Sequence, residues 1–212
     1  MRRVLELIAA AAGMVLLAPL FPIIAFAIKL DDGGPIIYSQ LRIGKNFHAF
    51  RIYKFRTMIV KADQDCLLTR TGDARVTRVG RILRRYKLDE LPQLVNVLKG
   101  DMQFVGPRPE VPSYVELFRP AYKELLTHRP GITDPASVQF RDEENELAAE
   151  DFEERYISEI LPRKLQLSLE YGRRRSFWTD IGVLCHTMAK IPMNSELHKA
   201  SKQKRAVTIR KN

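Results

Sequence analysis

The sequence predicts a helix-rich α/β fold, of the α+β kind, preceded by an apolar N-terminal segment. Residues 7–28 carry no charged side chain. Residues 36–43 and 47–53 are short runs of strand-forming residues separated by a turn, a pattern typical of a β-hairpin. The i, i+3, i+4, i+7 spacing of one apolar helix face occurs further along the chain, at Leu91, Leu94, Val95 and Leu98.

The composition limits the chain to one ordinary domain with appendages, because 212 residues are too few for two large cores. The formal net charge of +10 calls for an anionic partner or surface. Nucleic acid, anionic lipid headgroups and phosphorylated substrates all satisfy that condition. The isolated Cys66 and Cys185 predict neither a disulfide framework nor a zinc site.

The apolar run at residues 7–28 allows three interpretations. A cleaved signal peptide has an apolar core of about 7 to 15 residues, which is shorter than this run. A spanning helix fits the length, since a hydrocarbon core of ~30 Å needs about 20 residues. Pro19 and Pro22, however, predict a break past the middle. A re-entrant helix, which enters and leaves by one face, would keep Arg2 and Arg3 on the same side as the basic remainder.

Basic side chains cluster after the predicted hairpin. The segment Lys54-Phe55-Arg56-Thr57-Met58 follows the second strand, and residues 76–86 form a predicted basic helix that includes Arg84. Taken alone, Lys54 and Arg56 are equally compatible with the solvated end of a strand, where such residues are common.

Adjacent carboxylates precede the apolar helix face. Asp89 is a suitable helix N-cap, Pro92 is tolerated in a first turn, and Gly100 is a good stop signal. A helix N-terminus favours phosphate. We therefore expect a phosphate-and-metal site in which one carboxylate of Asp89 and Glu90 binds Mg²⁺ and the other attacks phosphorus. The alternative is a simple cap with acids that complement the helix dipole.

Arg108 lies between Pro107 and Pro109. The prolines restrict the backbone on both sides, so the guanidinium would lose little freedom on binding. Such an arginine suits a diphosphate, although an ordinary exposed loop arginine has the same sequence.

The remaining segments are interpreted as surface features. The acidic stretch at residues 141–154 lacks the spacing of a calcium loop and is interpreted as a solvated helix face. Residues 155–171 form a predicted helix interrupted at Pro162. Residues 173–178 join three arginines to two large aromatics, which favours a membrane interface or, alternatively, a basic loop with a core tryptophan. Residues 198–212 form a basic tail without a predicted fold.

Taken in order, the motifs resemble the bacterial sugar transferase family, the monotopic phosphoglycosyl transferases. The resemblance covers about residues 1–190 and includes the broken apolar segment, the segment at 54–58, the run at 87–102 and Val-Gly-Pro-Arg-Pro at 105–109. It implies a compact catalytic domain at residues 31–190, a re-entrant membrane helix at 1–30 and amphipathic interfacial helices. A basic tail at 191–212 follows, and the active site faces the cytoplasm at the bacterial inner membrane.

The resemblance also implies roles for particular residues. Asp89 corresponds to the family's nucleophile and Glu90 to its Mg²⁺-associated glutamate. Pro19, with Pro22 nearby, matches the break in the membrane helix, although Ala18 stands where many members carry Ser. The phosphate-binding basic residues correspond to Arg108, Arg84, Lys54 and Arg56.

The implied reaction moves a sugar-1-phosphate from a UDP-sugar donor to polyprenyl (undecaprenyl) phosphate and releases UMP, with an aspartyl-phosphosugar intermediate. Many members have Gly-Trp-Ala-Gln after the Arg-Pro-Gly-Ile-Thr turn at 129–133, whereas this chain differs at 134–142, so no sugar-reading residue is assigned. Two other functions stay open: a basic adaptor on membrane lipids without catalysis, and a nucleic-acid-binding module, against which the apolar segment argues. We expect no nucleic-acid partner, and a homo-oligomer is left open.

Overall fold

The computed structural model describes residues 2–60, 68–69, 73–141 and 152–190, which form a helix-rich α/β fold. The helices are α1 (Arg2–Leu17), α2 (Leu20–Asp32), α3 (Arg78–Arg85), α4 (Gln93–Lys99), α5 (Pro112–Leu117), α6 (Arg119–Leu125), α7 (Pro135–Gln139), α8 (Phe152–Arg155), α9 (Leu161–Arg173) and α10 (Phe177–Lys190). The strands are β1 (Ile37–Ile43), β2 (Ala49–Phe55), β3 (Gln103–Val105) and β4 (Gly131–Thr133). The predicted fold class is confirmed at this level.

The N-terminal apolar segment is a bent helix pair. In the described part of the chain no single helix has the length and apolar character to cross a membrane, but α1 and α2 together do, with a bend of 59° between them. Pro19 stands at the break. Pro22 does not, because it is the third residue of α2, where a backbone N–H has no partner within the helix. The prediction that both prolines break the run is therefore corrected to Pro19 alone.

The predicted β-hairpin is present. Strands β1 and β2 pair antiparallel, with Ile37 opposite Phe55 and Ile43 opposite Ala49. The second strand begins at Ala49 rather than at residue 47 because Asn46 (φ 53°) and Phe47 (φ 62°) adopt left-handed conformations in the connecting turn.

A second sheet was not predicted. Strands β3 and β4 pair parallel, with Gln103 opposite Gly131. The backbones of these two segments lie so close together that a Cβ added at Gly131 would be 2.1 Å from the backbone nitrogen of Gly106. This contact fixes the start of the loop that carries Arg108.

Both N-terminal helices pack against the body of the domain. Helix α1 buries Ala10 in a cluster with Leu94 and Val97 of α4, and α2 buries Ile28 in a cluster with Leu83 of α3. A third cluster joins α5, α6 and α9. The hairpin contributes β2 side chains to the first two clusters, so it links the two helices to α3 and α4.

The helix predicted at residues 155–171 has an irregular start. A π-helical turn, Tyr156–Ile160, lies between α8 and α9, and Pro162 is the second residue of α9. The proline ring would clash with the carbonyl four residues earlier in a regular α-helix, which accounts for the widened turn. Trp178 on α10 is 77% exposed, so the alternative of a core tryptophan is wrong. Most of the acidic stretch, all of the basic tail, and Cys66 lie outside the described residues.

Candidate active site

The adjacent carboxylates lie in a turn of their own. Leu88–Glu90 is a 3₁₀ turn that follows Lys87, whose left-handed backbone (φ 56°) reverses the chain after α3. Helix α4 begins three residues later, at Gln93, with Pro92 as its N-cap and no capping side chain. The prediction of Asp89 as N-cap of the apolar helix is therefore wrong, because Glu90, Leu91 and Pro92 separate it from the first residue of that helix.

Asp89 is buried and incompletely paired. Only 7% of its surface is exposed, and its Oδ1 has no hydrogen-bond partner within the described part of the chain. Buried polar atoms are nearly always hydrogen-bonded, so an unpaired carboxylate oxygen calls for an explanation. Exceptions of this kind are frequent where a ligand or a reacting atom takes the position of the absent partner.

Glu90 holds two cations. Its Oε1 accepts hydrogen bonds from Lys54 Nζ and from Arg108 Nη2, each at 2.9 Å. The glutamate and the lysine side chains are 10% and 20% exposed, so solvent screens this pair little. Both contacts use the same oxygen atom. The structure thus brings together a predicted carboxylate and two of the predicted phosphate-binding residues.

The two carboxyl groups differ in their electrostatics. Burial raises the pKa of Asp89 above its usual value, which the charge of Lys54 opposes and that of Glu90 reinforces. Burial also acts to raise the pKa of Glu90, but the charges of Lys54 and Arg108 outweigh it and hold that pKa well below the usual value. Of the adjacent pair, Glu90 is therefore the more strongly ionised carboxylate.

Arg84 extends the basic surroundings of Asp89. Its Nε donates a hydrogen bond to Thr57 Oγ1 at 2.9 Å, which orients the side chain from α3. Its charge acts to lower the pKa of the Asp89 carboxyl. This arginine therefore lies in the electrostatic environment of the candidate nucleophile.

Arg56 is engaged elsewhere. Its guanidinium is 8% exposed and forms an ion pair with Asp32 at the end of α2, with Nη1 2.6 Å from Oδ2. It also donates to the carbonyls of Pro35 and Met58. This geometry favours a role in fastening α2 to the end of β2, while phosphate binding by Arg56 stays a prediction.

The loop that carries Arg108 is held at several points. Gly131 N donates to the Pro107 carbonyl at 3.0 Å, and Arg42 Nη1 donates to the Pro109 carbonyl at 3.1 Å. The backbone of Glu110, the next residue, pairs with β1 at Ile43. These bonds restrict the backbone on both sides of Arg108, in addition to the flanking prolines.

Asn96 is a positioning residue that the sequence reasoning missed. It is completely buried on α4, where its Oδ1 accepts from Tyr53 N at 3.1 Å and its Nδ2 donates to the Arg51 carbonyl at 2.7 Å. These bonds fasten α4 to β2 immediately before Lys54. An amide between Val95 and Val97 on an apolar helix was the signal that could have revealed it.

The side chains of the site could bind Mg²⁺ only together with oxygen atoms of a substrate. Within the described ranges, no three or more His, Cys, Asp or Glu side chains are grouped so that they could hold a metal ion. Mg²⁺ commonly binds through one or two carboxylates together with substrate phosphates. The carboxylate of Glu90, beside the unpaired Oδ1 of Asp89, fits that arrangement.

Comparison with known proteins gives one family. The sequence model of the bacterial sugar transferases matches residues 1–194. A UDP-glucose:undecaprenyl-phosphate glucose-1-phosphate transferase of Caulobacter vibrioides is 37% identical over 194 residues, which is 90% of this chain and 69% of that relative.

Two other relatives differ in length. A UDP-N-acetylgalactosamine-undecaprenyl-phosphate N-acetylgalactosaminephosphotransferase of Aeromonas hydrophila is 37% identical over 90% of this chain but only 43% of its own length. The exopolysaccharide production protein ExoY of Rhizobium meliloti is 36% identical over 74% of this chain and 76% of its own length. The match with this chain thus covers less than half of the Aeromonas relative and about three quarters of the Rhizobium relative.

Proposed function

Because the chain belongs to the bacterial sugar transferase family, we propose that it transfers a sugar-1-phosphate from a UDP-sugar to undecaprenyl phosphate and releases UMP. The names of its relatives describe transfer of a sugar phosphate to undecaprenyl phosphate. The observation that carries the proposal is the buried Asp89 carboxylate, whose Oδ1 lacks a partner and whose neighbours include the cations Lys54 and Arg84.

The proposed reaction is a double displacement. Asp89 Oδ1 attacks the β-phosphorus of the UDP-sugar, the bond from that phosphorus to the bridging oxygen breaks, and UMP leaves with the oxygen. A phosphate oxygen of the lipid carrier then attacks the same phosphorus, and the bond to Asp89 breaks. The products are a polyprenyl diphosphosugar and the original carboxylate. A carboxylate nucleophile permits both steps because an acyl phosphate is itself reactive.

The surrounding cations stabilise the charge on the transferring phosphoryl group. Lys54 and Arg108 are held at one Glu90 oxygen, and Arg84 is oriented by Thr57. Such pre-positioned charges act more strongly in a buried site than in water. Glu90 and the donor diphosphate would together hold Mg²⁺, which would supply further neutralisation of the diphosphate charge.

We further propose that the helix pair is a re-entrant membrane anchor. Its outer surface is apolar and uncovered in the described chain, with Leu16 79% and Phe26 66% exposed. Both ends are fastened to the same body. Arg3 donates to the carbonyls of Val97 and Met102, and the carboxylate of Asp31 accepts from the backbone of α3. A segment with both ends on one body is compatible with entry and exit at one membrane face, which would be the cytoplasmic face of the inner membrane.

The alternative of a membrane-surface adaptor explains the basic charge and the apolar surface, but it gives no reason for a buried carboxylate with an unpaired oxygen. An assay separates the two functions. Detergent-purified protein is incubated with undecaprenyl phosphate, Mg²⁺ and a panel of UDP-sugars, and UMP release is measured. We expect release with at least one donor. No release with any donor would contradict the proposed function.

A further inference from the structure

Gln93 is a second buried polar side chain with an unpaired atom. It is 1% exposed and among the largest fully buried side chains. Its Nε2 has no hydrogen-bond partner among the residues that the structure describes. An unpaired amide donor in a protein interior lowers stability, and an apolar side chain of similar size would avoid that cost. The fold alone therefore does not explain a glutamine here.

The position of Gln93 relates it to Asp89. The chain between them keeps helical backbone angles at Leu91 (φ −54°, ψ −38°) and Pro92 (φ −61°, ψ −15°). Residues four apart on such a backbone lie about one helical turn from each other. Long side chains on a helix also lie over the preceding turn. Gln93 therefore lies one helical turn after Asp89 along the chain.

The two unpaired atoms are complementary but do not bond to each other. Asp89 Oδ1 is an acceptor and Gln93 Nε2 is a donor, and both are buried without a partner in the described chain. Since the two residues lie one helical turn apart and no hydrogen bond joins these atoms, a group bound between them could contact both. A phosphoryl group has the required chemistry, because its phosphorus accepts the Asp89 oxygen and its own oxygens accept an amide N–H.

We propose that the Gln93 side-chain amide donates a hydrogen bond to a non-bridging oxygen of the phosphoryl group that Asp89 attacks. This inference rests on the proposed function and adds a contact to it. The contact transfers no proton. As the phosphorus gains a fifth oxygen, charge on its non-bridging oxygens is stabilised by a fixed neutral donor. A neutral amide does this without repelling Lys54 and Arg108, which occupy the same site as cations.

The substitution Gln93→Met tests the contact, because methionine has a similar length and no donor. The purified variant and wild type are compared by thermal unfolding and by UMP release with the UDP-sugar that supports wild-type turnover. We expect a Tm at or above that of wild type and a kcat lowered about 10²-fold, as for loss of one donor to a developing oxyanion. The KM for the donor should change little. Leu94→Met, a buried change on the same helix, should keep the wild-type kcat.

Each other outcome overturns the inference. Gln93→Met with the kcat of wild type would show that the amide does not contact the reacting group. If that variant does not fold, Gln93→Glu keeps the side-chain shape, and a kcat equal to wild type would be equally contrary. Failure of both to fold would assign Gln93 to the fold instead. No turnover by wild type with any donor would overturn the proposed function and this inference together.

Discussion

Nη2 of Arg108 lies 2.9 Å from Oε1 of Glu90, which ties the loop after β3 to the turn that carries Asp89. The same oxygen binds Lys54, so one carboxylate organises two cations that come from distant parts of the chain. Glu90 therefore has two proposed roles, as the anchor of these cations and as a Mg²⁺ ligand.

Glu90→Gln should lower turnover and raise the Mg²⁺ concentration that gives half-maximal activity. The amide binds the cations and a metal less strongly than the carboxylate, so we expect a loss of about 10²-fold that added Mg²⁺ partly restores. Titration of UMP release with Mg²⁺ measures both effects. Glu116→Gln, in an exposed pair with Arg119, is the control and should behave as wild type. An unchanged Mg²⁺ dependence in Glu90→Gln would remove the metal role.

Asp32→Asn should destabilise the protein in a pH-dependent way. The hydrogen bond from Arg56 is the main reason that the pKa of Asp32 is below its usual value. A lowered pKa in the folded state adds stability above the pKa of the unfolded chain and loses it as the pH falls through the folded value. Loss of the charge should cost about 1.5 kcal/mol at neutral pH. Thermal unfolding should show the difference between Asp32→Asn and wild type shrinking in acid, and a constant difference would contradict the ion pair's contribution.

Asp180→Asn should loosen the start of α1. The buried Asp180 carboxylate on α10 binds Arg2 and also Arg175, which is itself 10% exposed. Removing one partner of a buried ion pair leaves the other charge without compensation, at a cost of about 3 kcal/mol. We expect a lower Tm in detergent. Glu124→Gln, which breaks an exposed pair with Arg173, should change the Tm little, and equal effects of the two variants would contradict this assignment.

Replacement of Pro19, but not of Pro22, should change the membrane topology. An interior proline costs ~3 kcal/mol in a helix, and only Pro19 stands at the break, so Pro19→Leu favours a straight spanning helix. Cysteines introduced at positions 3 and 30, after replacement of Cys66 and Cys185 by alanine, are probed in intact cells with an impermeant thiol reagent.

In the protein that keeps both Pro19 and Pro22, neither introduced cysteine should react with the reagent until the cells are opened. Pro22→Leu should give the same result, whereas Pro19→Leu should expose position 3. Labelling of position 3 alone in the unchanged protein would show that the helix spans the membrane.

Local signals made part of the fold predictable from the sequence. The alternating runs around residues 44–46 indicated the hairpin, and the spacing of Leu91, Leu94 and Leu98 indicated helix α4. These features depend on neighbours within a few residues. The predicted apolar face is wrong at Leu98, which is 39% exposed, whereas Val97 is completely buried. The β3–β4 pair has three residues in each strand. Its pairing arises from the close approach of Gly106 and Gly131, which no local pattern indicates.

Only part of the candidate site was predictable from the sequence. Family motifs singled out Asp89, Glu90, Lys54 and Arg108, and the structure groups the last three through one oxygen. It could not be read from the sequence that Arg56 pairs with Asp32, because that contact depends on how α2 folds back onto β2. The left-handed turn at Lys87, which separates α3 from the carboxylates, was equally hidden.

The mass of the protein after incubation with its UDP-sugar and Mg²⁺, but without the lipid carrier, tests the central claim most directly. We expect an increase equal to one sugar phosphate, located on the peptide that contains Asp89, with release of one UMP per protein. Asp89→Asn should be folded, because the amide keeps the side-chain shape, and should show neither the adduct nor turnover. Wild-type turnover without an adduct on Asp89, together with more than a few per cent of wild-type UMP release by Asp89→Asn, would contradict the assignment of Asp89 as the nucleophile.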